Sequence, residues 1–166
     1  MGLDITAYSQ LEAVGVHVPS GEWCEDDNHV GAYAYDSFPQ SFRGLPVLGT
    51  KDYPGAKFLE GGCYAVTPDT EYHGFSAGGY GGYNAWREDL QKQFNPTREA
   101  EAPFYELIWF ADNEGSIGPD AARDLLADFR EHADRYVPQW SWAEAKYQDW
   151  TRAFELAADG GLVRFH

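Results

Sequence analysis

Three carboxylates lie in or just after the apolar segment FYELIWFA at residues 104–111. If that segment is a strand buried on both faces, Glu106 lies among large apolar side chains, where loss of hydration raises the pKa of a carboxyl group. Asp112 and Glu114 follow the end of the strand, where acid–base or Mg²⁺ chemistry is often located. The pattern suggests a small metal-dependent hydrolase with Glu106, Asp112 and Glu114 as catalytic residues. The alternative is structural: Glu106 meets a basic side chain and Asp112 shapes a turn.

A second candidate site is the glycine- and tyrosine-rich segment AGGYGGYN at residues 77–84, which we predict to be a loop leading into a helix that begins near Asn84. Free backbone N–H groups at a helix start attract anions, and glycines allow a ligand to approach closely. Aromatic side chains could stack on a base while a guanidinium contacts a phosphate. The predicted ligand-binding residues are Gly78, Gly79, Tyr80, Tyr83, Trp86 and Arg87. The segment matches neither a P-loop nor a dinucleotide fingerprint, so a loop that only packs its tyrosines is the alternative.

A third candidate is an acidic row on the helix predicted after Pro119. Asp120, Asp124 and Asp128 are spaced four residues apart and are followed by Glu131, so they form a row with roughly 6 Å of rise between neighbours. Such a row could imitate the phosphates of a nucleic acid and occupy a DNA-binding cleft. The alternative is a solvated helix face, because arginines are interleaved with the acids and Glu131–Arg135 has the favourable i,i+4 order.

Metal, nucleophile and cofactor motifs give no support for catalysis. Cys24, His29, Cys63 and His73 lack the tightly paired spacing of structural zinc ligands, and we predict no metal site and no cofactor. The sequence contains no P-loop, paired-histidine motif or nucleophile motif. These observations favour a binding protein over an enzyme.

The charge of the chain limits its partners. The sequence has 27 acidic and 12 basic residues, a formal net charge of −15. Nucleic-acid backbones and anionic membranes attract clustered Lys and Arg, so we expect neither as a direct partner. A host protein with a basic surface, or a small nucleotide-like ligand, is the expected partner. The first residues lack the pattern of a signal peptide, which predicts a cytoplasmic protein.

Hydrophobic periodicity predicts one α+β domain over residues 1–166. We expect a mixed, mostly antiparallel sheet, two long antiparallel C-terminal helices on one face, and a loop-rich region of glycine and aromatic residues. The predicted strands are Leu3–Tyr8, 29–35, 58–67, 104–110 and 162–166, with 104–110 at the centre of the sheet. One helix should end at Asn95-Pro96, a second should follow Pro119, and a third should run from a capping box at Ser141 to Gly160.

Two segments also resemble a known group of proteins. They are MGLDITAYS at residues 1–9 and DNEGSIGPDAARDLLADF at residues 112–129. Both are similar to segments of small accessory proteins encoded in phage and prophage genomes, a group without an established activity. The resemblance supplies no catalytic residues. It implies a protein that acts inside a bacterial cell, where such accessory proteins bind and inhibit host factors, including defence systems.

Overall fold

The computed structural model describes residues 2–13, 29–32, 62–110 and 115–166. The strands are β1 (Leu3–Tyr8), β2 (Glu12–Ala13), β3 (His29–Ala32), β4 (Gly62–Ala65), β5 (Tyr72–Gly78), β6 (Gly115–Ile117) and β7 (Leu162–Phe165). The helices are α1 (Tyr80–Phe94), α2 (Tyr105–Trp109), α3 (Pro119–His132) and α4 (Ala143–Ala158), and a 3₁₀ turn, Ala133–Arg135, follows α3. The predicted α+β class is confirmed.

Two antiparallel sheets contain these strands. The larger has the order β5-β1-β7-β6 and the smaller has the order β2-β4-β3. Along β1, Leu3, Ile5 and Ala7 are buried, while the residues between them are exposed or half-buried. This alternation follows from the two-residue period of a strand, and it turns one face of the larger sheet towards the helices. Ile5 lies opposite Phe75 on β5 and Phe165 on β7.

The helices α3 and α4 pack against each other in opposite directions. Tyr147 of α4 contacts Tyr136 just after α3, whereas Glu155, further along α4, pairs with Arg130, which lies earlier in the chain. The helix α4 also packs on β1, β5 and β7, and α1 packs on β5. Apolar residues at helical spacing explain the arrangement, because they give each helix one face to bury. The fully buried aromatic side chains of the core are Tyr83, Trp86, Phe104, Phe129, Trp150, Phe154 and Phe165.

The prediction of a central strand at 104–110 is wrong, because this segment forms the short helix α2. Its interior position was predicted correctly: Phe104 and Leu107 are fully buried, and Ile108 is 7% exposed. A short apolar run does not distinguish a buried strand from a buried helix. The buried positions 104, 107 and 108 have the i, i+3, i+4 spacing of a helix, and this spacing was the available signal.

Other boundaries also differ from the predictions. The helix α1 begins at Tyr80 rather than near Asn84, because Gly78 (φ 94°) and the extended Gly79 turn the chain directly out of β5. The strand β5 itself was not predicted. The helix α4 begins at Ala143 with no side-chain cap, so the capping box predicted at Ser141 does not form. Gly160 does end this helix, with φ of 66°. Of the predicted strands 29–35 and 58–67, residues 29–32 form β3 and residues 62–65 form β4. Residues 33–35 and 58–61 lie outside the described residues.

The backbone at Gly161, just before β7, lies very close to the backbone at the end of β1. A Cβ atom at this position would lie 1.7 Å from the backbone oxygen of Tyr8. The backbones meet there because Gln10 and Leu11 donate hydrogen bonds to the carbonyls of Asp159 and Gly160. Any side chain at residue 161 would therefore force β1 and β7 apart.

No helix among the described residues is both long enough and apolar enough to cross a lipid bilayer. The longest of them, α4, has 16 residues.

Candidate functional site

The helix α2 is fixed at its start by a carboxylate from α3. Phe104, the residue before α2, has a left-handed backbone with φ of 61°. Its side chain is fully buried against Phe94 and Phe129, and its N–H donates a hydrogen bond of 2.7 Å to Asp128. A non-glycine residue in this conformation is strained, and the buried ring and the charged acceptor offset the strain. Asp128 therefore has a structural task in addition to its charge.

The end of α2 is fixed by Arg87 of α1. Its guanidinium donates to the carbonyl of Ile108 at 3.0 Å and to the carbonyl of Phe110. The hydroxyl of Tyr83 donates to the same Phe110 carbonyl at 3.3 Å. Carbonyls at a helix end have no partner within the helix, and a cation there also opposes the negative end of the dipole. Arg87, predicted to contact a ligand phosphate, is instead occupied with the backbone of α2.

Carboxylates crowd the surface where α2 meets α3. Burial, together with the negative charges of Asp124 and Asp128, raises the pKa of Glu106 to about 7, although a backbone hydrogen bond opposes the rise. The pKa of Asp128 is raised by burial, and Asp124 and Glu131 add to the rise, although the N–H of Phe104 and the charge of His132 oppose it. We call Glu106, Asp124, Asp128 and Glu131 the acidic face. The charges of Asp124, Asp128 and Glu131 act on Glu106 or on Asp128, so the four carboxylates form one electrostatic unit.

The arginines interleaved with these acids in the sequence turn towards other partners. Arg123 pairs with Asp120, and Arg130 pairs with Glu155 of α4 at 3.0 Å. Arg135 lies over the ring of Phe94, so the predicted Glu131–Arg135 pair does not form. Within the described part of the chain, no Lys or Arg forms a salt bridge with any member of the acidic face. The predicted row therefore loses Asp120, which Arg123 neutralises, whereas Arg130 and Arg135 leave Asp124, Asp128 and Glu131 without a basic partner among the described residues.

The residues predicted for the hydrolase site are only partly described. Glu106 has the raised pKa expected for it, but on a helix rather than a strand. Asp112 and Glu114 lie outside the described residues, as does Cys24, and the side chains of His29 and Cys63 are not described either. Among the residues whose positions are described, no group of three or more His, Cys, Asp or Glu side chains is arranged to hold a metal ion.

The predicted ligand-binding residues separate into core and surface. Tyr83 and Trp86 are each 1% exposed and stack on Trp150, so their rings belong to the core. Tyr80 is 42% exposed. Gly78 and Gly79 form the break between β5 and α1. The structure therefore brings together on the surface only the glycines and Tyr80.

A cavity that the sequence did not reveal lies between α3 and α4. Its volume is about 420 Å³, and Phe129, Tyr136 and Tyr147 provide its aromatic lining. Its polar lining includes Arg130 and Arg152 at one end and Glu144 at the other. We call it the α3–α4 groove. The sequence signal was present, because Glu144, Gln148, Thr151 and Glu155 recur at helical spacing on the polar side of α4.

The chain has no recognisable relative in the comparisons made: no protein-family model, curated protein or solved structure matches it.

Proposed function

We propose that the chain is a phage accessory protein that binds a basic surface of a host protein through its acidic face and thereby blocks a nucleic-acid-binding cleft. The observation that carries the proposal is that no Lys or Arg of the described residues forms a salt bridge with Glu106, Asp124, Asp128 or Glu131, although three arginines lie on α3 or just after it. The net charge of −15 strengthens attraction to a basic partner over longer distances.

The raised pKa values support the same proposal. Burial and mutual repulsion destabilise the charged forms of Glu106 and Asp128. A cationic group that approaches the acidic face relieves the repulsion, so binding should draw protons off Glu106 near neutral pH. Complementary charge also increases the rate of association and makes it depend on salt. Both effects are measurable without knowledge of the partner.

The test is capture of proteins from a bacterial lysate on the immobilised chain. We expect the protein to retain a DNA-binding host protein that elutes as salt is raised and is displaced by added double-stranded DNA. The double variant Asp124→Asn, Glu131→Gln should retain at least roughly tenfold less, a loss of about 1.4 kcal/mol. Both residues are exposed, so the substitutions should leave the fold intact.

The matched control removes the same charge elsewhere. Asp4 on β1 and Asp69 in the turn after β4 are exposed, and their side chains make no hydrogen bond or ion pair in the described part of the chain. The variant Asp4→Asn, Asp69→Asn should retain the partner as the unaltered protein does. Equal losses in both double variants would show that only net charge matters, and equal retention by all three proteins would refute a role for the acidic face.

A further inference from the structure

The α3–α4 groove is a separate feature from the acidic face, and it has the dimensions of a ligand site. Its volume of about 420 Å³ lies within the range of small-molecule pockets, which is roughly 300–1,000 Å³. Such pockets combine an apolar lining with a few polar groups that fix orientation. Here the lining includes Phe129 and the rings of Tyr136 and Tyr147, which stack with centroids 4.6 Å apart.

One end of the groove carries two guanidinium groups. Arg130 donates to Glu155 at 3.0 Å, and Arg152 donates to Glu155 at 3.2 Å and to Glu71 at 2.8 Å. Burial acts to raise the pKa of Glu155, but the hydrogen bonds and charges of the two arginines outweigh it and lower the pKa. Arg130 uses one nitrogen in this contact, and its side chain is 62% exposed. Its remaining N–H groups can therefore bind an anionic group in the groove.

The opposite end carries negative charge. Glu144 is exposed and makes no salt bridge with the described residues. Burial, together with the charges of Asp89 and Glu144, raises the pKa of Tyr136 to about 12. Burial also raises the pKa of Tyr147, to which Asp128 and Glu144 contribute. An aromatic surface in a negative potential attracts an ammonium group.

The two ends are separated by a distance that selects the length of a ligand. Glu144 and Arg152 are eight positions apart on α4, which corresponds to about 12 Å along the helix. An extended chain of four residues spans roughly 13 Å. Gln148 lies between the two ends, is exposed, and makes no hydrogen bond with the described residues. Its amide offers both a donor and an acceptor, the groups that a peptide bond requires.

We propose that the α3–α4 groove binds a short peptide with free termini, three or four residues long, with its ammonium group at Tyr136 and Glu144 and its carboxylate at Arg130. Glu144 repels a purely anionic ligand, and the arginines repel a purely cationic one. The groove therefore favours a molecule with opposite charges at its two ends. The peptide groups of such a molecule lie beside Gln148.

The test is calorimetric titration with tetraalanine at concentrations up to about 10 mM, the range of weak binding. Three comparison ligands change one feature each: N-acetyl-tetraalanine lacks the positive charge, tetraalanine amide lacks the negative charge, and 11-aminoundecanoate, whose chain has the same number of atoms, keeps both charges without peptide bonds. We expect tetraalanine to bind, and each comparison ligand to bind at least roughly tenfold more weakly. The absence of heat with tetraalanine, or equal affinity for the capped peptides, would overturn the site. Equal affinity for 11-aminoundecanoate would overturn the assignment to a peptide.

Two variants locate the contacts. In Arg130→Gln, tetraalanine and its amide should bind equally, while N-acetylation still weakens binding. In Glu144→Gln, tetraalanine and N-acetyl-tetraalanine should bind equally, while amidation still weakens binding. A general loss of structure would weaken the binding of all ligands together. The loss of a different preference in each variant therefore identifies the contacts even if stability changes. The matched controls Arg123→Gln and Glu88→Gln alter exposed residues outside the groove lining and should preserve all the differences. Unchanged discrimination in the groove variants would refute the proposed orientation.

Discussion

The helix α2 and the pair α3–α4 are both buried helical structures, but different forces hold them. The pair associates through apolar faces, with ring contacts such as Phe129–Tyr147 at 4.6 Å and Phe129–Phe154 at 5.5 Å. The helix α2 has five residues, too few to be stable alone, and each of its ends is held by a charged side chain from another helix. The comparison shows that a helix can be specified by its own pattern or by partners distant in sequence.

The largest loss of stability should come from removing an aromatic ring that packs α4 into the core. Trp150 is 1% exposed and contacts Trp86 and Phe165 at 5.8 and 5.5 Å. Trp150→Ala should lower the free energy of unfolding by about 4 kcal/mol, because a large cavity replaces the ring. Urea denaturation measures the loss. Trp142→Ala, at a position 38% exposed, is the control and should cost less than about 1 kcal/mol. Similar losses in both variants would contradict the role of Trp150.

An intermediate loss of stability should come from removing the charged side chain that holds the end of α2. Arg87→Met keeps an apolar stem but leaves the carbonyls of Ile108 and Phe110 without their guanidinium donor. The Phe110 carbonyl keeps the Tyr83 hydroxyl as a donor. We expect a loss of about 3 kcal/mol in unfolding free energy, since each hydrogen bond from a charged group contributes about 1.5–3 kcal/mol. Hydrogen exchange should accelerate in residues 104–110 more than in α4. Lys92→Met on the exposed side of α1 is the control, and uniform acceleration across the protein would argue against a local role for Arg87.

The smallest effect should be a gain in stability that depends on pH. Because burial raises the pKa of Glu106 in the folded protein from 4.5 to about 7, the folded state holds a proton that the unfolded state loses. The stabilising contribution is complete below about pH 4.5 and is lost as pH rises to about 7. Glu106→Gln should therefore leave stability unchanged at pH 4 and raise it by about 2 kcal/mol at pH 8, less than the roughly 3.4 kcal/mol of the full pKa change because solvent screens the half-buried carboxyl group. The difference in melting temperature across this pH range tests the expectation, and Glu88→Gln, at an exposed position of α1, is the control. A gain that is independent of pH would contradict it.

The parts of the fold that the sequence predicted correctly are those that bury a local pattern. The strand β1 alternates apolar and polar residues, and its bounds match the prediction. The stripe predicted on α4 is buried, including Tyr147, Trp150 and Phe154. The stop at Gly160 follows from its left-handed backbone, which few other residues adopt. In each case one short segment contains enough information to determine the structure.

The parts that the sequence did not predict depend on distant partners. The segment 104–110 has an apolar run that suits a strand, and its helical form depends on Arg87 and Asp128, which lie in other helices. The acids of the candidate site were identified, but the sequence could not show that Arg130 and Arg135 turn towards Glu155 and Phe94. The groove between α3 and α4 likewise exists only once the two helices meet.

The neighbouring positions of β1 and β7 have a consequence for protein synthesis. Thr6 and His166, which share a hydrogen bond of 3.0 Å, are 160 residues apart in the sequence. The middle of the larger sheet therefore closes only after residues 162–166 have emerged from the ribosome, because β7 lies between β1 and β6. Until then β1 has an apolar face and an open edge, which are the features that molecular chaperones and aggregation both act on. The helices can form early, whereas the sheet is completed only when residues 162–166 are free to pair.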